Sequence, residues 1–205
     1  EGAFVGWADR LAQALSAYHH AHEIAPHDAQ VQRATMRARV YLMAEQPARV
    51  GLDALDDVAY EASWLLEAEP SRAAVCQTAL ANVLLNRGDI EGAKAKLAEA
   101  IKTDAHSVAA HTALGNLYLN ESGALETAKI EFDPALREKP DALGPLVGLG
   151  RIKLAEGDLP GAIDKLEAAL RHNDDVEARL ALGTARLRQG KHAEAAKELR
   201  RVLLT

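Results

Sequence analysis

The chain has 205 residues, a formal net charge of −6 at pH 7 and an apolar content of 48%. This length suffices for a sizeable buried core, built either as one domain or as an array of small units. The negative net charge gives no indication of the basic surface that nucleic-acid binding requires. The single cysteine, Cys76, excludes an internal disulfide. No apolar run reaches the length needed to span a bilayer.

The first 72 residues predict helices with an irregular connection between them. WADRLAQALSAYHHAHEIAP has apolar residues at helical spacing and a closing proline, which predicts the second helix of a truncated unit over residues 1–27. ATMRARVYLMAEQ predicts the first helix of the next unit, residues 28–72. That unit is about nine residues too long, and we place the excess near residues 47–55.

The start of the chain leaves its cellular compartment open. Because the sequence begins with Glu1 rather than Met, we expect a fragment or a processed chain. We favour the cytoplasm, and the periplasm is the alternative if an N-terminal signal has been removed. The Ala- and Arg-rich composition is typical of a bacterial chain.

A histidine-rich stretch is the weak candidate for a metal site. His19 lies three residues before His22 and four before Glu23, a helical spacing that could supply two or three ligands for a divalent metal. The alternatives are a set of surface histidines on the solvated side of a helix and a pH-sensitive contact. We favour the surface histidines and expect neither a metal nor a cofactor.

From residue 74 onward the chain repeats itself with a period near 34 residues. TALANVLLN returns as TALGNLYLN, and each unit has two stretches of 3.6-residue apolar periodicity around a glycine-containing turn. A small residue inside the motif recurs at steps of 34, 35 and 33 residues, at Ala81, Gly115, Gly150 and Gly183. We therefore predict four repeats, with bounds 73–106, 107–141, 142–174 and 175–205.

The unit LGNLYLNESGALETAKIEFDPALREKP fits a known pattern most fully. Its order of small residue, Leu, Gly and Tyr, then Gly, Ala, a large apolar residue, Ala and Pro, resembles the tetratricopeptide repeat. The resemblance covers residues 74–205. It implies an all-α solenoid of about five stacked antiparallel helix hairpins, wound as a right-handed superhelix. Pro134 falls inside a predicted helix, so we expect a kink or a restart there.

Polar side chains recur on the predicted first helix of each unit. Residues four apart share one helix face. The predicted stripes are Thr78, Asn82 and Asn86 on one first helix and Thr112, Asn116 and Asn120 on the next. Matching positions of other units add Arg39, Arg151, Thr184 and Arg188.

The resemblance implies a role for these stripes, because first helices of the family line a concave surface that often binds extended peptides. An Asn amide both donates and accepts a hydrogen bond, which suits a peptide backbone. The alternative is that these side chains are only solvated or bond the neighbouring helix.

One binding mode of the family is not expected. It holds a C-terminal carboxylate with Lys and Asn in one unit, Asn in the next, and Lys and Arg in the third. The matching positions here are Thr78, Asn82, Ala113, Gly144 and Gly148. Only Asn82 fits that set.

Charge is unevenly distributed along the chain. Residues 50–71 contain six acids and no Lys or Arg, whereas residues 177–205 contain seven bases against three acids. Opposite ends of this kind would favour head-to-tail association or an acidic partner. The alternative is two solvated faces with ordinary fluctuation in charge.

We expect a protein or peptide partner and no catalytic activity. The sequence has no nucleophile–base signature, phosphate loop or zincin motif. Cys76 lies near the start of a predicted helix, where a thiolate could be stabilised, and the alternative is an inert buried thiol. The predicted function is an interaction scaffold that binds a partner in its groove. A self-associating segment of a larger scaffold and a substrate-recruiting arm of a larger enzyme are the alternatives.

Overall fold

The computed structural model describes residues 28–171 and 174–203, with isolated positions 13, 16, 17, 20, 21 and 24 before them. Within these residues the chain forms ten α-helices and no strand. In chain order the helices are α1 Ala29–Glu45, α2 Leu55–Ala68, α3 Ala73–Asn86, α4 Ile90–Thr103, α5 Val108–Leu119, α6 Leu125–Glu138, α7 Leu143–Glu156, α8 Leu159–Ala169, α9 Val176–Arg188 and α10 His192–Val202.

From α3 onward, short turns join the two helices of each hairpin. Each turn contains a glycine with a φ of 81° or 82°, at Gly88, Gly123, Gly157 and Gly190. This left-handed backbone disfavours any residue with a Cβ, which explains why glycine recurs there. The connection between α1 and α2 is longer and holds two 3-10 turns, Pro47–Arg49 and Leu52–Ala54. None of the helices in the described ranges is long and apolar enough to cross a membrane.

The described residues form two compact units, one up to Ala113 and one from Leu114. In the first unit, α1, α2 and α3 share an apolar core that includes Met43, Val58 and Leu65. Helix α3 packs against α1, α2 and α4, so each added helix covers the apolar side of the ones before it.

The second unit is built around close approaches between helices. Phe132 of α6 is fully buried and lies between Gly115 and Gly148. A Cβ added at Gly115 would lie 2.4 Å from Cε1 of Phe132, and one at Gly148 would lie 2.3 Å from its Cζ. Gly150 meets Leu166 in the same way, with a Cβ placed 2.6 Å from the Leu166 Cγ. The small residues of the repeat are therefore the surfaces onto which large side chains pack.

Pro134 does not interrupt its helix. Of the two expected outcomes, a restart does not occur, since α6 continues through Pro134 as one element, and a kink stays a prediction. Proline removes the bond that its nitrogen would donate to the carbonyl of Ile130. Residue Ile130 is exposed, so water can reach that side of the helix and satisfy the carbonyl.

A buried ion pair joins α1 to α2. The Arg39 Nη1 lies 3.1 Å from Oε1 of Glu61 and 3.2 Å from Oδ2 of Asp57. The other oxygen of Glu61, Oε2, is buried without a hydrogen-bond partner among the described residues. Burial raises the pKa of the Glu61 carboxyl from 4.5 to about 7, against the attraction of Arg39.

Enlarging Gly148 should unfold the second unit more easily. We expect Gly148→Leu to reduce the free energy of unfolding by about 1–3 kcal/mol, because the buried Phe132 ring must move. Urea denaturation followed by circular dichroism would measure this. Ala155→Leu, at an exposed position of the same helix, is the control and should change stability by less than about 0.5 kcal/mol. Equal effects of the two variants would contradict the packing argument.

Replacing Glu61 should change how stability depends on pH. Since the folded carboxyl binds its proton more tightly than the unfolded one, its contribution to stability is present below about pH 4.5 and falls as pH rises to about 7. The Glu61→Gln variant does not have this loss. Its free energy of unfolding relative to that of the wild type should therefore rise by up to about 3 kcal/mol between pH 5 and pH 8. Urea midpoints at several pH values test this, with Glu67→Gln as the exposed control on α2.

Candidate functional site

Asn82 of α3 is a structural residue. Its side chain is 3% exposed, and its Nδ2 donates to the carbonyl oxygens of Met43 at 2.8 Å and Ala44 at 3.3 Å. Both carbonyls lie in the last turn of α1, where no intrahelical donor is available. The expectation that Asn82 faces an open groove is therefore wrong, because its amide satisfies the end of the preceding first helix.

Other predicted contact residues of the first unit are also occupied or partly covered. Thr78 is fully buried, and its hydroxyl donates to the carbonyl of Ala74 at 2.8 Å, so its predicted surface position is wrong too. Arg39 is half-buried and pairs with Asp57 and Glu61 of α2, and its role as a contact residue stays a prediction. Thr112 is half-buried, and Asn86 is exposed.

The second unit keeps a set of exposed polar side chains on its first helices. Arg151 of α7 donates through Nη2 to the Asn120 side-chain oxygen at 3.3 Å and pairs through Nη1 with Glu177 of α9 at 2.6 Å. One guanidinium therefore connects residues from three successive first-helix segments. Asn116 and Thr184 occupy the repeat position of Arg151 and are exposed.

Arg188 combines a structural bond with an exposed position. Its Nη1 donates to the carbonyl oxygen of Leu154 at 3.0 Å, in the last turn of α7. Like the bonds of Asn82, it reaches the last turn of the preceding first helix, although the Leu154 carbonyl also accepts from the Gly157 N–H at 3.3 Å. We call five polar side chains of the first-helix segments of the second unit, four exposed and one half-exposed, the first-helix face: Asn116, Asn120, Arg151, Thr184 and Arg188.

Internal ion pairs reduce the charge contrast between the two ends of the sequence. Glu69 accepts hydrogen bonds from Arg37, which lower the pKa of that carboxyl. In the last hairpin the buried Glu198 lies 2.6 Å from Arg179 and 3.1 Å from Arg186. Two of the seven bases in residues 177–205, Arg179 and Arg186, are therefore paired inside the hairpin, where they hold α9 to α10.

Cys76 lies in the core of the first unit. It is 1% exposed, and burial raises the pKa of its thiol to about 11. A thiol at that pKa remains protonated at neutral pH, which fits the alternative of an inert residue.

The metal candidates His19, His22 and Glu23 lie outside the described residues. Among the residues that are described, no cluster of three His, Cys, Asp or Glu side chains could hold a metal ion.

Sequence reasoning overlooked Glu177 and the apolar side of α9. Glu177 follows the N-cap Asp175 and resembles an ordinary first-turn acid, so only its contact with Arg151 reveals its place in the site. A residue-by-residue comparison with α7, one repeat earlier, would have indicated the apolar residues. Val147 and Leu154 there are buried, whereas their counterparts on α9 are exposed.

The geometry defines a helical-hairpin repeat protein, and the comparisons agree. The sequence profile of the tetratricopeptide repeat matches residues 78–142 and 147–203. The chain belongs to the tetratricopeptide repeat family and is an α-solenoid of helix hairpins, as the sequence predicted. A search of curated protein sequences gave no significant match.

Solved structures with this fold share little sequence with the chain. TTC0263, a tetratricopeptide protein of Thermus thermophilus, is 20% identical, with a TM-score of 0.64 over 82% of this chain and 90% of that one. The Cut9–Hcn1 complex is 17% identical, with a TM-score of 0.70 over 96% of this chain and 36% of that one. The human IFIT1 dimer with PPP-AAAA is 15% identical, with a TM-score of 0.67 over 98% and 47%. At these identities the likeness shows the fold alone, and the IFIT1 structure means that the fold does not exclude nucleic acid.

Asn82→Ala should destabilise the first unit. Its loss leaves the buried carbonyls of Met43 and Ala44 without their donor, so we expect a cost of about 1–3 kcal/mol. Thermal and urea unfolding followed by circular dichroism would measure it. Asn116→Ala changes the same repeat position where it is exposed, and should alter stability by less than about 0.5 kcal/mol. A neutral Asn82→Ala would contradict the structural role.

Proposed function

We propose that the chain is a protein-interaction scaffold whose first-helix face binds an extended segment of a partner protein. The tetratricopeptide fold suggests such a scaffold in general, since proteins of this family are generally non-catalytic. The observation that carries the proposal is the position of Arg151. It is half-exposed and links Asn120, directly after α5, to Glu177 of α9, so donors and acceptors from three successive first-helix segments are held at one surface.

The chemistry of this face suits a peptide backbone better than a charged side chain. Asn116 and Asn120 each offer a donor and an acceptor, which a backbone amide can satisfy whatever its sequence. The charge of Arg151 is largely met by Glu177, so we expect Arg151 to contribute directed N–H groups. Arg188 is the base on this face that would attract an acidic side chain.

Ordering of the face before binding also supports the proposal. The Arg151 side chain makes two contacts, which reduces the rotamer entropy that a partner would otherwise have to remove. The exposed Thr184 donates its hydroxyl to the carbonyl of Leu180 at 2.9 Å, so its oxygen can still accept a bond. In the first unit, Asn86 and Thr112 stay predicted contacts.

Loss of two first-helix-face side chains should abolish capture of a partner. We expect proteins retained from an extract of the source cells by the immobilised wild-type chain to be reduced about tenfold or more with Asn116→Ala/Arg151→Ala, measured by quantitative mass spectrometry. The physical reason is the loss of directed hydrogen bonds at the centre of the face.

The control for that experiment removes the same kinds of side chain elsewhere. Thr127→Ala/Lys102→Ala deletes one neutral polar residue and one base at exposed positions of second helices α6 and α4. It should retain every protein that the wild type retains. Equal capture by both variants would overturn the proposed site, provided that circular dichroism shows both to be folded.

A further inference from the structure

A groove of about 410 Å³ lies between α2 and α4 in the first unit. Helix α3 packs against both of these helices and contributes Leu80, Val83 and Leu84 to the lining, and α2 contributes Ala59 and Leu66. Because described helices border it on both sides, the groove lies inside the row of hairpins rather than at one of its ends. We call it the α3 groove.

The α3 groove has charged side chains along its edges. Arg87, directly after α3, lines it and pairs with Asp56 in the first turn of α2. Glu67 lines it from the last turn of α2, which is about 16 Å from Asp56 along the helix axis. The groove therefore has a guanidinium at one end and a carboxylate at the other. Lys96 of α4 also lines it and pairs with Glu99 at 2.8 Å.

A later hairpin shows how the corresponding place in the repeat is filled. Counted back from the proline that follows each second helix, Lys129 of α6 and Ala59 of α2 occupy the same repeat position. The Lys129 Nζ pairs with Glu126 of its own helix at 2.7 Å and with Glu156 in the last turn of α7. A long aliphatic side chain with a charged end therefore reaches from a second helix to the end of the next first helix.

The α3 groove lacks that side chain, and the charge at its end is inverted. Arg87 stands directly before the turn glycine, where α7 has Glu156. Lys129 pairs with two carboxylates, whereas Arg87 pairs within the described residues with that of Asp56 alone. A guanidinium carries five N–H donors and can bind a second carboxylate. The position of Ala59 leaves the space through which such a group would reach it.

From this geometry we infer that the α3 groove binds a short extended segment of a partner protein, with one carboxylate on Arg87 and aliphatic side chains against Leu84 and Leu80. Alternate side chains of an extended chain share one side and lie about 7 Å apart. Leu84 and Leu80 follow Arg87 at about 4.5 and 10.5 Å along α3. A segment with an acid at one position and aliphatic residues two and four positions away therefore fits this side of α3.

Charge and length distinguish this occupant from a small carboxylic acid. The distance of about 16 Å between the two ends of the groove corresponds to about five extended residues. Glu67 at the far end disfavours a second carboxylate there, so the segment carries its acid at the Arg87 end. The α3 groove shares no residue with the first-helix face, so this inference goes beyond the proposed function and can fail independently of it.

Capped pentapeptides can probe the α3 groove directly. Leu-Ser-Leu-Ser-Glu and Glu-Ser-Leu-Ser-Leu test the two chain directions, and each has a counterpart with Gln in place of Glu. Titration of the full chain, labelled with ¹⁵N, would measure affinity from chemical-shift changes of backbone amides. We expect the better Glu peptide to bind about threefold or more tightly than its Gln counterpart, because its carboxylate accepts charge-assisted hydrogen bonds from Arg87.

Matched variants of the full chain locate the binding. Arg87→Gln should remove the preference for Glu over Gln, whereas Lys102→Gln, at another exposed base of the first unit, should keep it. Ala59→Glu supplies the missing carboxylate from α2 and should weaken binding of the Glu peptide about tenfold. Ala95→Glu makes the same change at an exposed position of α4 and should not. Circular dichroism would show that each variant is folded.

Three results would overturn the inference. The first is equal affinity for the Glu and Gln peptides, or no binding of any of them. The second is an unchanged preference in the folded Arg87→Gln variant. The third is octanoate binding more tightly than every peptide at the same residues, which would assign the α3 groove to a small carboxylate. Asn116→Ala/Arg151→Ala should bind the Glu peptide as the wild type does, and loss of binding there would place the peptide on the first-helix face instead.

Discussion

Close helix approach at small residues is the constraint on which the second unit depends. Phe132 fills the space between Gly115 and Gly148, and Leu166 fills the space against Gly150. Any larger residue at these glycines would separate the helices and open the cluster that they enclose. Because each hairpin buries its apolar side only against a neighbour, this spacing also determines which side chains of the next helix reach the surface.

A second constraint acts on the polar residues, because the backbone carbonyls at helix ends need hydrogen-bond donors. The last carbonyls of a helix have no donor within that helix. Asn82 supplies one to α1, and Arg188 adds a second donor to the Leu154 carbonyl at the end of α7, which also accepts from Gly157. A polar residue on a first helix can therefore stabilise the preceding hairpin, face solvent, or do both, as Arg188 does. The polar residues that recur on the first helices therefore do not all have the same structural role.

These constraints leave two kinds of surface in the second unit. The first-helix face presents ordered polar groups, for which we propose the backbone of an extended peptide as the partner. The last hairpin presents exposed aliphatic side chains, among them Leu180 and Leu187, near the exposed bases of α10 in the sequence. Ion pairs such as that of Glu198 with Arg179 neutralise charged side chains inside the last hairpin. The exposed bases, such as Arg200, therefore contribute the positive charge of its surface.

The sequence alone determined the helical-hairpin repeat, its period and its small-residue positions, because these depend on local propensity and on a pattern that recurs along the chain. Tertiary structure decided the role of each polar residue. Asn82 and Asn116 occupy the same repeat position, yet one is buried and the other is exposed. Val147 and Leu180 are a similar pair, since α9 covers the first and no described helix covers the second. Exposure depends on what packs against a residue. A repeat motif determines which residue type recurs at a position, but it does not determine which helix packs against each copy.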